Sequence, residues 1–456
     1  IVIMRINDIT IKNFRGFIEE RHFEFDSKMN VILGDNTTGK TSLLHAVQIA
    51  LGAYLQALKI IPGGKAFSRN FLSTDYVKRY SEANKDFIQD TGKPEISVNA
   101  DFFASVYNLD DYSHDDQVHS ISWTRSSNSI SKRNANELML EVAAMEQERI
   151  SADTTHKNSV FPLFLAFGSN RLEKNYRKAQ KTRARESRLE KAYKCSLDGQ
   201  QVDFKSAFNW IYKYNFSLKK GAEFEGTDQA FFEAIAHAIP AIKGFRVDTK
   251  NNELAARVQM TKDPEPYWLT YDMMSDGFKA MINICAEIAY RCIQLNGFIG
   301  VEAVRSTPGI VMIDEIDLFL HPHWQQHVLQ VRERGDILGP QVALPRMQFI
   351  VTTHSPFIVQ SVNSQSVITL DGEKGSNPQM RSIEDIAVTE MNMDTDRFPK
   401  YKRMLDMAEK YYQLVKDNHE SSEEAINVKK ELDAIEAEFS DDPAYVALLK
   451  AERNSQ

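Results

Sequence analysis

The most constraining stretch of this 456-residue chain is eight residues long, Gly34-Asp35-Asn36-Thr37-Thr38-Gly39-Lys40-Thr41, a GxxxxGK[ST] pattern. The apolar run Met29–Leu33 leads straight into it. Behind it Leu43, Leu44, Val47 and Leu51 fall on one helical face, so strand, loop and helix follow in the order the pattern requires. In that arrangement backbone N–H groups and the helix N-terminus surround phosphate groups, Lys40 reaches β- and γ-phosphates, and Thr41 offers its hydroxyl to Mg²⁺. Gly34 and Gly39 permit close backbone approach, and Asp35, Asn36, Thr37, Thr38 and Ser42 complete the expected phosphate-binding set.

A phosphate loop needs a carboxylate on the metal side, and Gly309-Ile310-Val311-Met312-Ile313-Asp314-Glu315 supplies one after an apolar run typical of a buried parallel strand. Asp314 at the carboxyl end of that strand is expected to orient Mg²⁺, and Glu315 to polarise a water for in-line attack on a γ-phosphate. A third buried run, Phe349–Thr352, ends in Thr353-His354-Ser355. A lone histidine there is more often structural; beside the other two motifs, His354 reads as a γ-phosphate sensor.

These residues resemble an ABC-type ATPase head of the SMC, RecF and OLD group. The likeness rests on Ile9-Thr10-Ile11-Lys12-Asn13-Phe14-Arg15-Gly16-Phe17, the phosphate loop, the strand ending in Asp314-Glu315, and Thr353-His354-Ser355-Pro356. The resemblance implies ATP and Mg²⁺ as ligands. It implies further that Ser275 and Gly277, in Met273-Met274-Ser275-Asp276-Gly277, form the signature that contacts nucleotide bound to an opposite subunit, so a head-to-head dimer or higher oligomer is expected. Asp317 falls where the D-loop aspartate of that group lies. The sequence departs from the group's pattern at Asp276, where many members have glycine, and at Thr37-Thr38, where smaller residues are frequent. No glutamine-loop residue is identified; Arg171 reads either as a contact near nucleotide or DNA, or as a surface arginine.

A narrower similarity is to the PtuA ATPases of Septu anti-phage systems and to retron-associated ATPases, carried by Asp317-Leu318-Phe319-Leu320-His321-Pro322-His323-Trp324-Gln325 and by the short chain. That resemblance implies a partner HNH nuclease, PtuB; the chain has no HNH or Toprim constellation of its own, so nuclease chemistry would come from that partner. Two other functions remain open at this level: a DNA-repair or chromosome-maintenance ATPase without a nuclease partner, and an ATP-sensing scaffold with little hydrolysis.

The expected fold class is therefore α/β, a two-lobed P-loop ATPase head with a helical insertion and a helical tail. The 274 positions from Lys40 to Asp314 leave room for that insertion. The expected divisions are residues 1–168 for lobe I, 169–241 for a helical basic insertion, 242–371 for lobe II with the signature, Asp314-Glu315 and His354, and 372–456 for the tail. Composition sharpens two of these. The net charge of −8 conceals a strip, Arg171–Lys194, with ten Lys or Arg against three Glu. That strip reads either as a DNA-phosphate surface or as a solvated helical insertion, the latter being the commoner origin of a charge run. From Lys400 the chain carries thirteen acids and nine bases, with Val428, Leu432, Ile435 and Phe439 at helical spacing, a docking element for the partner or a packed appendage.

Other classes are disfavoured. No apolar run approaches the roughly 20 residues of a spanning helix, and charge enters too early for a signal peptide, so a cytoplasmic protein without membrane contact is expected, its translation starting at Met4. Cys195, Cys285 and Cys292 lack CxxC spacing, which argues against a disulfide framework. His321, His323, His327 and His354 lie close in sequence but lack a convincing fourth zinc ligand.

Overall fold

The computed structural model describes residues 4–35, 37–63, 66–89, 92–169, 186–199, 205–239, 241–248, 253–259, 265–325, 344–371 and 377–381, isolated positions between 383 and 416, and 422–439. In chain order its strands are β1 (Arg5–Lys12), β2 (Arg21–Glu24), β3 (Met29–Leu33), β4 (Lys78–Ser81), β5 (Asp86–Gln89), β6 (Glu95–Asn108), β7 (His114–Arg125) and β8 (Lys157–Ser159). There follow β9 (Leu163–Phe167), β10 (Ile242–Asp248), β11 (Glu253–Val258), β12 (Tyr267–Thr270), β13 (Gly309–Ile313), β14 (Met347–Thr352) and β15 (Val367–Thr369). The longer helices before residue 300 are α1 (Lys40–Ala57), α2 (Lys132–Thr155), α4 (Lys205–Lys219), α5 (Thr227–Ala238) and α6 (Asp276–Asn296), with a short α3 (Arg188–Tyr193) between α2 and α4.

The site rests on a parallel sheet in the order β15-β3-β14-β13-β9. Every residue of β3, β9, β13 and β14 is buried. This explains their largely apolar sequences, interrupted only by Asn30, Gln348 and Thr352, since parallel strands are covered on both faces. The register sets Ile313 beside Val351 and Phe167, and Thr352 beside Ile32, so the strands end together at one edge. Both halves of the chain thus contribute to a single sheet: β3 and β9 from the first, β13, β14 and β15 from the second.

The alternating N-terminal pattern forms a separate antiparallel sheet, β2-β1-β6-β7, with β8 on β6, and a third sheet holds β10, β11 and β12. Trp123 on β7 is buried and donates its indole N–H to Ala50 O of α1 at 3.0 Å. The 24-residue α2 is a feature that the sequence reading did not anticipate. Its Leu138, Val142 and Met145 are buried on one stripe of an otherwise polar helix. Asn134 starts it by accepting the N–H of Ser131 at 2.8 Å.

Residues 171–185 of the basic strip lie outside the described residues. Its described end points inward: Arg188 donates to Ile293 O at 2.8 Å and pairs with Glu223 at 2.7 Å, while Lys194 pairs with Glu186. The staple is completed from α6. Arg291 holds the fully buried Glu287 at 2.6 Å and donates to the carbonyls of Ala192 and Lys194. Arg188 at this end therefore joins α3 to α6, while Lys191 stays exposed.

One core runs from Met4 to Ile386, and the chain divides into two units, Ile1–Met391 and Asn392–Gln456. In the second, the helix Glu423–Phe439 carries ion pairs Arg403–Glu431 and Lys410–Glu424, and Ala425 and Leu432 are buried. Asp442-Pro443 and Ser421 lie outside the described residues. Among the described residues no helix is long and apolar enough to cross a membrane.

Two predictions follow from buried charge. Arg291→Ala leaves the Glu287 carboxylate buried without its guanidinium and is expected to lower unfolding free energy by about 3–5 kcal/mol; a loss below about 1 kcal/mol in chemical denaturation would contradict it. His45 on α1 is held down to about 4, first by burial and then by Arg15 and Arg69. The folded protein refuses a proton that the unfolded chain binds below about pH 6.5, so stability falls as pH drops from there toward 4. Relative to His45→Gln, the wild type should lose about 3 kcal/mol more across that window; parallel stability curves for the two proteins would refute the assignment.

Candidate functional site

The phosphate loop leaves β3 at Gly34 and enters α1 through Gly39, the helix N-cap, whose φ is 109°. A Cβ on Gly39 would stand 2.9 Å from the ring of Phe17, so the opening Asn13–Phe17 turn packs directly beneath the loop. That turn is anchored in turn: Arg15 pairs with the fully buried Asp75 at 2.7 Å, and Arg69 reaches the same carboxylate at 3.1 Å. Thr37, one of the two departures from the expected pattern, has φ 82°, a conformation that a β-branched residue adopts at a cost. Thr38 steadies the loop by donating its hydroxyl to Asp35 O at 2.9 Å. Asn36 lies outside the described residues, and Ser42 follows in the first turn of α1.

Lys40 is 92% buried and donates to the carbonyls of Gly34 and Asp35. Burial lowers its pKa, and the carboxylates of Asp371, Asp35, Asp314 and Glu315 oppose that shift. The next residue reaches across the sheet edge. Thr41 Oγ1 lies 3.3 and 3.4 Å from the two carboxylate oxygens of Asp314, although 273 positions separate the two in the chain. A hydroxyl and a carboxylate converging beside a phosphate loop match the oxygen donors that Mg²⁺ takes from proteins, one or two carboxylates with the rest from phosphate and water. The residues present fit that ion.

Thr352 at the end of β14 organises the other side. Its hydroxyl donates to Asp314 Oδ1 at 2.6 Å and accepts the N–H of Glu315 at 2.8 Å. Glu315 has φ 49°, so the chain turns sharply after β13. Asp317 then accepts the Thr353 hydroxyl at 2.5 Å and the His354 N–H at 3.2 Å, which ties the turn after β13 to the turn after β14. His354 itself is exposed at the sheet edge.

Gln325 strengthens this tie, accepting from Ser355 Oγ at 2.6 Å and donating to Leu320 O at 2.8 Å. Trp324 packs edge to face on Phe278 at the start of α6, ring centroids 4.8 Å apart. Ser275 caps that helix, accepting the Phe278 N–H, and is exposed. A Cβ on Gly277 would lie 2.8 Å from Phe319 O, so glycine allows the signature turn to rest on the turn after β13. Among the described residues no hydrogen bond joins Ser275 or Gly277 to the phosphate loop.

The structure thus brings together Lys40, Thr41, Asp314, Glu315, Asp317 and His354, and sets Ser275 and Gly277 apart at the head of α6. Thr352, Gln325 and Asp371 were not singled out from the sequence. Thr352 was visible as the hydroxyl ending an apolar strand; Asp371 had no local signal, because only strand pairing brings it to the loop. His327 and the side chain of His323 lie outside the described residues. Among those described, no three His, Cys, Asp or Glu side chains gather to hold a metal ion.

A family model described as an AAA domain matches residues 8–216. The chain is similar to the Retron Vc95 probable ATPase of Vibrio cholerae serotype O1 biovar El Tor, at 22% identity over 94% of this chain and 86% of that protein. It is similar to the Septu protein PtuA of Bacillus thuringiensis, at 30% identity over 34% of this chain and 40% of that protein. Among solved structures, an SMC head bound to the C-winged helix domain of ScpA aligns over 78% of this chain and 92% of that chain, with 15% identity and a TM-score of 0.37.

Thr352→Val keeps the side-chain shape and removes both hydrogen bonds that orient Asp314 and Glu315. ATP turnover is expected to fall about tenfold to a hundredfold, with nucleotide affinity changed less; a phosphate-release rate within twofold of wild type would argue against the positioning role.

Proposed function

We propose that this chain, an ABC-type P-loop ATPase related to the retron ATPases and to PtuA, hydrolyses Mg²⁺-bound ATP between two copies of itself and so governs a partner effector. The observation that carries the reading is the hydrogen-bonded series Thr41–Asp314–Thr352–Glu315 beside Lys40. Backbone N–H groups of Gly34–Thr41 and the Lys40 ammonium take the β- and γ-phosphates. Thr41 and Asp314 would hold the cation, which when bound would neutralise charge developing on the phosphoryl oxygens. Glu315 accepts a proton from the attacking water, and the Asp317-held turn keeps His354 within reach of the γ-phosphate. Hydrolysis breaks the bond from the γ-phosphorus to its bridging oxygen and yields ADP and inorganic phosphate.

The separation of Ser275 and Gly277 from the phosphate loop of their own chain supports their use in trans, at the nucleotide of a second copy. The α6 N-terminus there offers N–H groups to an anionic γ-phosphate. A head-to-head dimer follows from that division of labour. By likeness to PtuA and the retron ATPases, the setting is anti-phage defence and the effector an HNH nuclease of the PtuB kind, which supplies the nuclease chemistry. DNA contact through Arg171–Lys194 is a weaker part of the reading, since Arg188 and Lys194 are engaged within the fold.

Glu315→Gln is expected to retain ATP while slowing phosphate release by at least about a hundredfold, and Lys40→Ala to lose nucleotide binding. Turnover by Glu315→Gln at the wild-type rate would overturn the assigned chemistry. Co-expression with a neighbouring HNH reading frame and mass measurement of the product tests the partner; an isolated dimer with DNA-stimulated turnover would favour chromosome maintenance, and binding without turnover an ATP-sensing scaffold.

A further inference from the structure

The second residue after β15, Asp371, belongs to none of the motifs above, yet its carboxylate lies at the start of the phosphate loop. Asp371 Oδ2 accepts the N–H of Asp35 at 2.8 Å, and Oδ1 stands 3.1 Å from where a Cβ on Gly34 would be. Topology accounts for the placement. β15 runs parallel to β3 with Thr369 opposite Leu33, and Leu370 N–H donates to Leu33 O at 3.0 Å, so the two segments leave the sheet side by side. Arg21 secures the departing strand through Leu370 O at 3.0 Å while its guanidinium lies over the Phe17 ring that underlies Gly39.

Lys40 takes hold of the same two residues from the other side, donating to the carbonyls of Gly34 and Asp35. The first N–H of the loop and the ammonium of its lysine are among the groups that draw a phosphate anion into such a loop. Here a carboxylate from another strand already holds that N–H, beside the two residues whose carbonyls hold the ammonium.

We propose that Asp371 is a positioning residue acting as an internal anion, which holds Gly34, Asp35 and Lys40 together and competes with a nucleotide's phosphates for the same positive field. This rests on the nucleotide reading of the phosphate loop. A triphosphate entering the loop meets a like charge a few ångströms from where its own charge must settle, and part of its attraction to Lys40 is cancelled. Because Asp371 is solvent-exposed, salt screens that cancellation. Asp371 thereby sets how tightly nucleotide is held rather than how fast it is cleaved.

The test is calorimetric titration of the full chain with Mg-ADP and with a non-hydrolysable Mg-ATP analogue, in wild type, Asp371→Asn, Asp371→Glu and Lys40→Ala. Asparagine keeps an acceptor for the Asp35 N–H and removes only the charge. Asp371→Asn is expected to bind the triphosphate analogue about threefold to tenfold more tightly at low salt, the gain shrinking as ionic strength rises. In turnover KM should fall without a rise in kcat, and Asp371→Glu should restore wild-type affinity. A purely structural latch predicts equal or weaker binding by Asp371→Asn, and either result overturns the inference; should that variant fold poorly, Asp371→Ser, also neutral, gives the same discrimination. Wild-type protein that binds no nucleotide would overturn the underlying reading together with the inference. Wild-type binding that Lys40→Ala abolishes and Asp371→Asn leaves unmoved overturns the inference alone.

Discussion

The chemistry depends on the common register of five parallel strands. Because β15, β3, β14, β13 and β9 end at one edge, residues distant in sequence meet there without any side chain having to stretch: Gly34 after β3, Asp314 after β13, Thr353 after β14 and Asp371 after β15. Ligands of open parallel sheets bind beyond the carboxyl ends of the strands for this reason. Burial on both faces makes the register hard to change, since slipping one strand would move a completely buried set of side chains. A single hydroxyl then converts register into chemistry, with Thr352 fixing both the carboxylate of Asp314 and the backbone of Glu315.

The helix α6 packs beside this edge through its N-terminal turn. Its length is buried from Ala280 to Asn296, and its interior charges are neutralised locally, Glu287 by Arg291. The same helix carries the signature turn at its exposed end and receives α3 along its body through Arg188 and Arg291. Trp324 against Phe278 and Gly277 against Phe319 place its N-terminus on the turn that holds Asp317. A shift of α6 would therefore be felt at once by the turn that positions His354 and by the segment ending the basic strip.

What the sequence made legible follows from the same physics. Gly309–Ile313 was readable because doubly covered strands are largely apolar, Met29–Leu33 because a short strand-like run leads straight into the phosphate loop, and the loop because few residue types tolerate its backbone. Thr41 and Asp314 could be named as partners from chemistry alone. Asp371 and Gln325 could not, since their importance comes from which strands and turns become neighbours, and no local pattern encodes that. The helix α2 escaped notice because its buried stripe, Leu138, Val142 and Met145, is narrow and set among charged residues. At the described end of the basic strip Arg188 turns into the fold to satisfy the carbonyl of Ile293, an engagement that a run of cations does not announce.

Backbone strain marks the same edge. Of nine non-glycine residues with positive φ among those described, five lie in the turns that build the site: Asn13, Arg15, Thr37, Glu315 and Phe319. Each is disfavoured where it stands, by about 1–3 kcal/mol for residues of this kind. Such conformations persist only where the surroundings impose them, and here the surroundings are named: Asp75 against Arg15, Thr352 against the N–H of Glu315, Gly277 against the carbonyl of Phe319. Thr37 is the informative case, because its neighbours Thr38 and Lys40 both bond back to Asp35 and so close the loop around a residue that glycine would relieve.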